Sequence, residues 1–185
     1  MIILAAMAFV FTSCGNNAAN NAEQAQEAPA ALEIDDVLAS ADSLANTEIT
    51  LEGVCTHTCK HGATKIFMMG SDDTKTIRVE AAGLGSFDQK CINNIVRVKG
   101  ILREERVDEA YLQRWEASVA ASTAEQHGDG EAGCDTEKAA RGETGNTVEE
   151  RIADFRQKIA ARKEATGKDY LSFYFVEALS YEVVE

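Results

Sequence analysis

The sequence predicts a mainly β fold with an α insertion, a five-stranded barrel carrying a helix between its third and fourth strands and a helical hairpin between its fourth and fifth. Three observations carry this. Four runs of alternating apolar and polar residues lie between 48 and 102, and a fifth, long and aromatic, closes the chain at 170–184. Between 108 and 167 the apolar period lengthens from two residues to about 3.6, the period of a helix.

The first residues read as an address. Residues 1–11 are almost unbroken apolar sequence, without the usual basic residue near Met1. That run is too short to span a bilayer, which takes about 20 residues, and suits the apolar core of an export signal over 1–13. Phe11-Thr12-Ser13-Cys14 resembles a bacterial lipoprotein cleavage box, so Cys14 is the expected lipidated first residue of the mature chain. Residues 14–31 hold Asn, Ala, Gln and Glu without apolar period and read as a tether, since such sequence cannot offset the entropy of ordering. Gly15-Asn16-Asn17 carries no charged sorting signal, which favours an outer membrane, facing the periplasm.

The barrel is expected over 32–104 and 168–185. A short helix at 34–41 places Ile34, Val37, Leu38 and Ala41 on one face. Strands follow at 48–57, 64–69, 74–81 and 95–102. In 86–94, Ser86 and Gln89 fit a capping box and Asn94 a left-handed stop, which predicts the intervening helix. The last strand sets Leu171, Phe173 and Phe175 on one face and Tyr174, Val176 and Ala178 on the other. Five strands with a helix between the third and fourth match the order of an OB-fold barrel.

The insertion, 105–167, differs in character. Asp108 can cap a helix bearing Tyr111, Leu112, Trp115 and Val119 on one face. Thr147 and Glu150 form a capping box for a second, with Val148, Ile152, Phe155 and Ile159 in its stripe and Gly167 at its end. Their apolar stripes should face each other or the barrel. The link, 122–146, rich in Gly, Glu, Asp and Ala, reads as a flexible acidic loop in which His127, Asp129 and Cys134 are solvated.

Charge and composition exclude some functions. The formal net charge of -13 and the low aromatic content argue against a nucleic-acid partner. Gly83-Leu84-Gly85 lacks the Lys-Ser/Thr of a phosphate loop, and no Ser-His-Asp context supports hydrolysis.

The candidate chemistry lies in Cys55, His57, Cys59 and His61, which place two of five cysteines and two of three histidines within seven residues. On an extended strand, alternate side chains leave one face, so this spacing would project a row of soft donors. Thiolate and imidazole favour Cu(I) or Zn(II). A straight strand would separate Cys55 from His61 by roughly 20 Å, so one ion needs a bend near Gly62. Cys55, in phase with Ile49 and Leu51, also reads as a small core residue. Oxidation is a rival use of the sulfurs. Cys55, Cys59, Cys91 and Cys134 allow three sets of pairings, and a Cys55–Cys59 bridge would need a local turn.

The run from Gly53 to Gly62, Ile77-Arg78-Val79-Glu80, Val98-Lys99-Gly100 and Tyr174-Phe175-Val176-Glu177-Ala178 together resemble a group of exported bacterial OB-fold lipoproteins of largely uncharacterised function. The resemblance covers about 32–102 and 170–185. It implies a β-barrel in the cell envelope and a metal site, and it hands over no activity. The expected function is therefore a non-catalytic, lipid-anchored envelope protein, bound to the membrane through Cys14, that holds a soft metal ion through Cys55, His57, Cys59 and His61. The alternative is a protein- or glycan-interaction module with structural cysteines and no metal, its partner an envelope protein.

Overall fold

The computed structural model describes residues 30–59, 62–125 and 135–184. Five strands close into a barrel, and a two-residue strand, β1 (Leu32–Glu33), precedes them; they are β2 (Glu48–Thr58), β3 (Lys65–Met69), β4 (Thr76–Glu80), β5 (Ile95–Val107) and β6 (Leu171–Val184). The order is β1-β2-β3-β4-β6-β5, and β2 pairing with β5 closes the ring. Neighbours run antiparallel except β1 with β2 and β4 with β6. The five barrel strands thus follow the OB-like order expected from the sequence.

Inward residues of every barrel strand form the main core, including Leu51, Cys55, Ile66, Met68, Ile77, Val79, Val98 and Val176. Helix α1 (Ile34–Ala39) covers one end, burying Ile34 and Val37, and the short α2 (Ala41–Leu44) adds Ala41. Gly53 is required there, since a Cβ would stand 2.3 Å from Ile34 Cδ1 and 2.9 Å from the Met69 carbonyl oxygen.

The helix expected at 86–94 is instead a pair of 3-10 turns, Ala82–Leu84 and Gln89–Cys91. The capping box does not form. Asp88, two residues further on, accepts the hydrogen bond from the Lys90 N–H, and Asn93, not Asn94, takes the left-handed backbone at φ 62°. Tight i to i+3 bonds such as Cys91 N–H to Asp88 O let this connection bury both Phe87 and Cys91 within a short span.

Strand β5 runs past Leu102 to Val107. Arg103, Glu104, Glu105 and Arg106 look like loop, yet they pair with Phe175, Tyr174, Phe173 and Ser172 of β6. This two-stranded ribbon carries the insertion. Helices α3 (Glu109–Glu125) and α5 (Val148–Thr166) pack their stripes on its end, forming a second core of Val107, Leu112, Ile152, Phe155 and Ile159 with Tyr111, Trp115, Leu171 and Phe173 against it. Their caps are those expected. Asp108 accepts from the Tyr111 N–H at 2.7 Å, Thr147 and Glu150 close the capping box, and Gly167 ends α5 at φ 76°.

Within the link between them, α4 (Asp135–Ala140) lies on the barrel. Composition hides this helix, because it is held by ion pairs and not by an apolar stripe. Glu137 reaches Arg78, and Arg141, just beyond the helix, pairs with Glu105.

Candidate functional site

The Cys/His block does not keep one face. Thr56 is an extra residue in β2, so Cys55 pairs with Met68 while His57 pairs with its neighbour Phe67. Such a bulge swaps the alternation downstream of it. Cross-strand partners share a face, so Cys55 points inward with Met68, fully buried, and His57 points outward with Phe67, whose ring centroid is 5.9 Å from its own. Thr58 is consequently buried opposite Ile66, and half-buried Cys59, whose N–H donates to the Lys65 carbonyl at 2.9 Å, returns to the outer side. The expectation of one row of donors is corrected accordingly. His57 and Cys59 share the outer face, Cys55 belongs to the core, and His61, like Cys14, His127 and Cys134, lies outside the described residues.

Cys55 has its own neighbour. Its N–H donates to the Asn94 carbonyl and its carbonyl accepts from the Asn93 N–H, which lays the Cys91–Asn94 turn alongside it. Both sulfurs are buried free thiols. Burial pushes the Cys55 thiol up to about 11, with the nearby Cys91 adding to the effect. Cys91 is raised by burial and by Asp88. Neither thiol is poised as a nucleophile or a ready thiolate ligand. Among the described residues, no group of three His, Cys, Asp or Glu side chains converges as metal ligands would.

The outer face carries a different constellation. Register aligns His57, Phe67, Arg78, Phe175 and Arg103 in one row across β2, β3, β4, β6 and β5. Arg78 is nine-tenths buried, an unusual place for a guanidinium. It lies over the Phe175 ring at 4.7 Å from the centroid and donates from Nη1 to Glu137 at 2.6 Å. Nη2 is 3.6 Å from Glu105. Nε lies 3.3 Å from Glu80 Oε1, outside hydrogen-bond geometry, and has no hydrogen-bond partner among the described residues.

Arg141 repeats the pattern one position along, stacked on Phe173 at 5.1 Å and paired with Glu105. Lys65, in the next row, is 3.5 Å from Glu137. Burial alone would raise the Glu137 carboxyl, but Lys65, Arg78 and Arg141 outweigh it and hold the group below its ordinary range. Under α4 a cavity of about 290 Å³ remains, lined by Phe67, Thr76, Arg78, Phe173, Tyr174 and Ala140, among others.

This face joins apolar and charged surface on one side of the barrel wall. Aromatic surfaces, two stacked guanidiniums and a lysine provide both apolar area and carboxylate recognition. Sequence reasoning missed it because its residues are scattered over 65–175. A signal did exist: in Ile77-Arg78-Val79, a charge sits between two core residues of a short strand, aligned with aromatics at alternate positions of the closing strand.

A second groove, about 700 Å³, lies over β2, β5 and β6, lined by Leu32, Leu44, Ile49, Arg97, Lys99 and Tyr181. Its cations are satisfied locally, Arg97 by Glu52 and Glu182, Lys99 by Glu48. None of the described helices is long and apolar enough to cross a membrane. Compared with known protein families and with curated proteins, the chain matches none.

Proposed function

We propose that this protein is a non-catalytic, lipid-anchored module of the cell envelope that docks another envelope molecule on the outer face of β3, β4 and β6. The observation that carries the reading is Arg78: a buried guanidinium, stacked on Phe175 and facing a cavity, pairs with Glu137 and Glu105 yet keeps its Nε without a hydrogen-bond partner among the described residues. The lipobox at Cys14 supports membrane attachment through acyl chains worth about 0.8 kcal/mol per buried methylene, and the uncharged Gly15-Asn16-Asn17 favours the outer membrane, on the periplasmic side. The resemblance to exported bacterial OB-fold lipoproteins points the same way. The partner is taken to be a protein; a glycan is the competing occupant.

The test uses the full chain in its membranes. Cys14→Ser should release it from the membrane fraction, and affinity purification of the wild-type chain should recover a discrete partner that Lys65→Glu loses. Recovery of the same partner by Lys65→Glu would refute docking on this face.

A second reading, a soft metal ion, is favoured by one observation only. His57 and Cys59 share the outer side at the end of β2, close in sequence to His61. Titration of the reduced protein with Cu(I) and Zn(II), repeated with His57→Ala and Cys59→Ser, tests it. Equal affinity in all three proteins would remove the metal from consideration.

A further inference from the structure

The helix that covers the outer face fits it poorly. α4 and the residue just beyond it offer the groove Glu137, Arg141 on Phe173 and, at the rim, Ala140, whereas the barrel side offers Phe67, Phe173, Tyr174 and Arg78. About 290 Å³ is left between them, and Arg78 Nε makes no hydrogen bond to any described residue. A six-residue helix is not stable by itself in water, so α4 owes its form to docking. A groove wider than its occupant, with aromatic walls and an underused guanidinium, is fitted to a larger side chain beside a carboxylate.

Charge narrows the class. With α4 in place, Lys65, Arg78 and Arg141 stand against Glu80, Glu105 and Glu137, so the cluster is balanced. A polyanion would overload that balance and meet a chain of formal charge -13. A single carboxylate in place of Glu137, with Arg141 kept on Phe173 and Glu105, preserves it.

We infer that the groove accepts an acidic peptide segment of a partner protein, which sets a carboxylate between Lys65 and Arg78 and an aromatic side chain into the cavity, and that α4 is the weaker, tethered occupant it displaces. The inference rests on reading this face as the docking surface and names the partner's chemistry.

Fluorescent peptides of residues 135–142, titrated against the full chain by anisotropy, test it. The peptide carrying Ala140→Phe should bind about tenfold tighter than the native one, as expected for burying a benzyl group. Adding Glu137→Gln to that peptide should abolish the gain. Placing Ala140→Phe in the chain's own α4 should weaken the peptide about tenfold, because the tethered competitor has improved. No advantage for Ala140→Phe, or binding indifferent to Glu137→Gln, overturns the acidic-peptide assignment. Loss of that assignment while Lys65→Glu still abolishes partner recovery leaves the docking face standing, so the two readings fail separately.

Discussion

Replacing Glu137 with glutamine removes one charge from the contact that seats α4 and leaves its volume unchanged. Nη1 of Arg78 donates to this carboxylate at 2.6 Å, with the two side chains only 10% and 21% exposed. A hydrogen bond to a charged group is worth about 1.5–3 kcal/mol, and a neutral one roughly half as much. Glutamine retains a bond to Arg78, whose guanidinium still faces Glu80 at 3.3 Å and Glu105 at 3.6 Å. The loss therefore falls short of the 3–5 kcal/mol, on the order of magnitude measured for orphaned buried charges. About 1.5 kcal/mol is expected, which is roughly tenfold in an equilibrium. Because α4 is too short to persist undocked, the loss should appear as local opening. Amide hydrogen exchange across 138–143 should speed about tenfold, with little change at β5 and β6. The pH dependence has a definite sign. The folded-state carboxyl is held below its ordinary 4.5, so its contribution is complete above that value and drains as pH falls through the folded one. Wild-type α4 should loosen in acid, whereas Glu137→Gln, loose already, should show a flatter response. Identical exchange in both proteins at neutral pH, or identical acid limbs, would refute the role given to this carboxylate.

Phe155, 1% exposed between Trp115 and the edge of Phe173, fills the second core, so Phe155→Ala should cost about 3–5 kcal/mol in denaturant unfolding. A loss within the error of extrapolation would mean that α5 is not packed on the ribbon. At Gly100 an added Cβ would stand 2.5 Å from the Glu177 carbonyl oxygen and 2.5 Å from Val176 Cγ1. Gly100→Ala should lower the melting temperature through about 1–3 kcal/mol of overpacking, and an unchanged melt would contradict the β5–β6 register. Cys55, moved from 9.0 to about 11, carries about a hundredfold less thiolate at pH 8 than an ordinary thiol. Mass tagging of the native protein should modify Cys59 well before Cys55 and Cys91, and equal rates would disprove the burial of that pair.

The barrel was legible because its strands obey a period of two and its closing strand is long and aromatic. Leu51, Ile77, Val98 and Val176 face inward as alternation requires. The hairpin was legible from the caps at Asp108, Thr147 and Gly167, each a local interaction that sequence expresses directly. The Cys/His row failed for a physical reason. One inserted residue, Thr56, reverses the faces beyond it, and a bulge leaves no mark in the spacing of Cys55, His57 and Cys59. The turns at 82–94 were misjudged because Asp88 competes as a cap with Ser86, and two buried anchors, Phe87 and Cys91, favour tighter turns than an α-helix provides. Arg78 and Glu137, 59 positions apart, meet only after the whole insertion has folded back, so their pairing has no local signature.

Photo-crosslinking in intact membranes discriminates the two faces of the barrel. A photoreactive residue replaces Thr76, which lines the cavity beneath α4, or Lys99, which lines the groove over β2 and β5. A discrete adduct from position 76, absent from position 99 and diminished by Lys65→Glu, is the expected result. An adduct from position 99 alone, or none from either, would contradict docking on the face that holds Arg78.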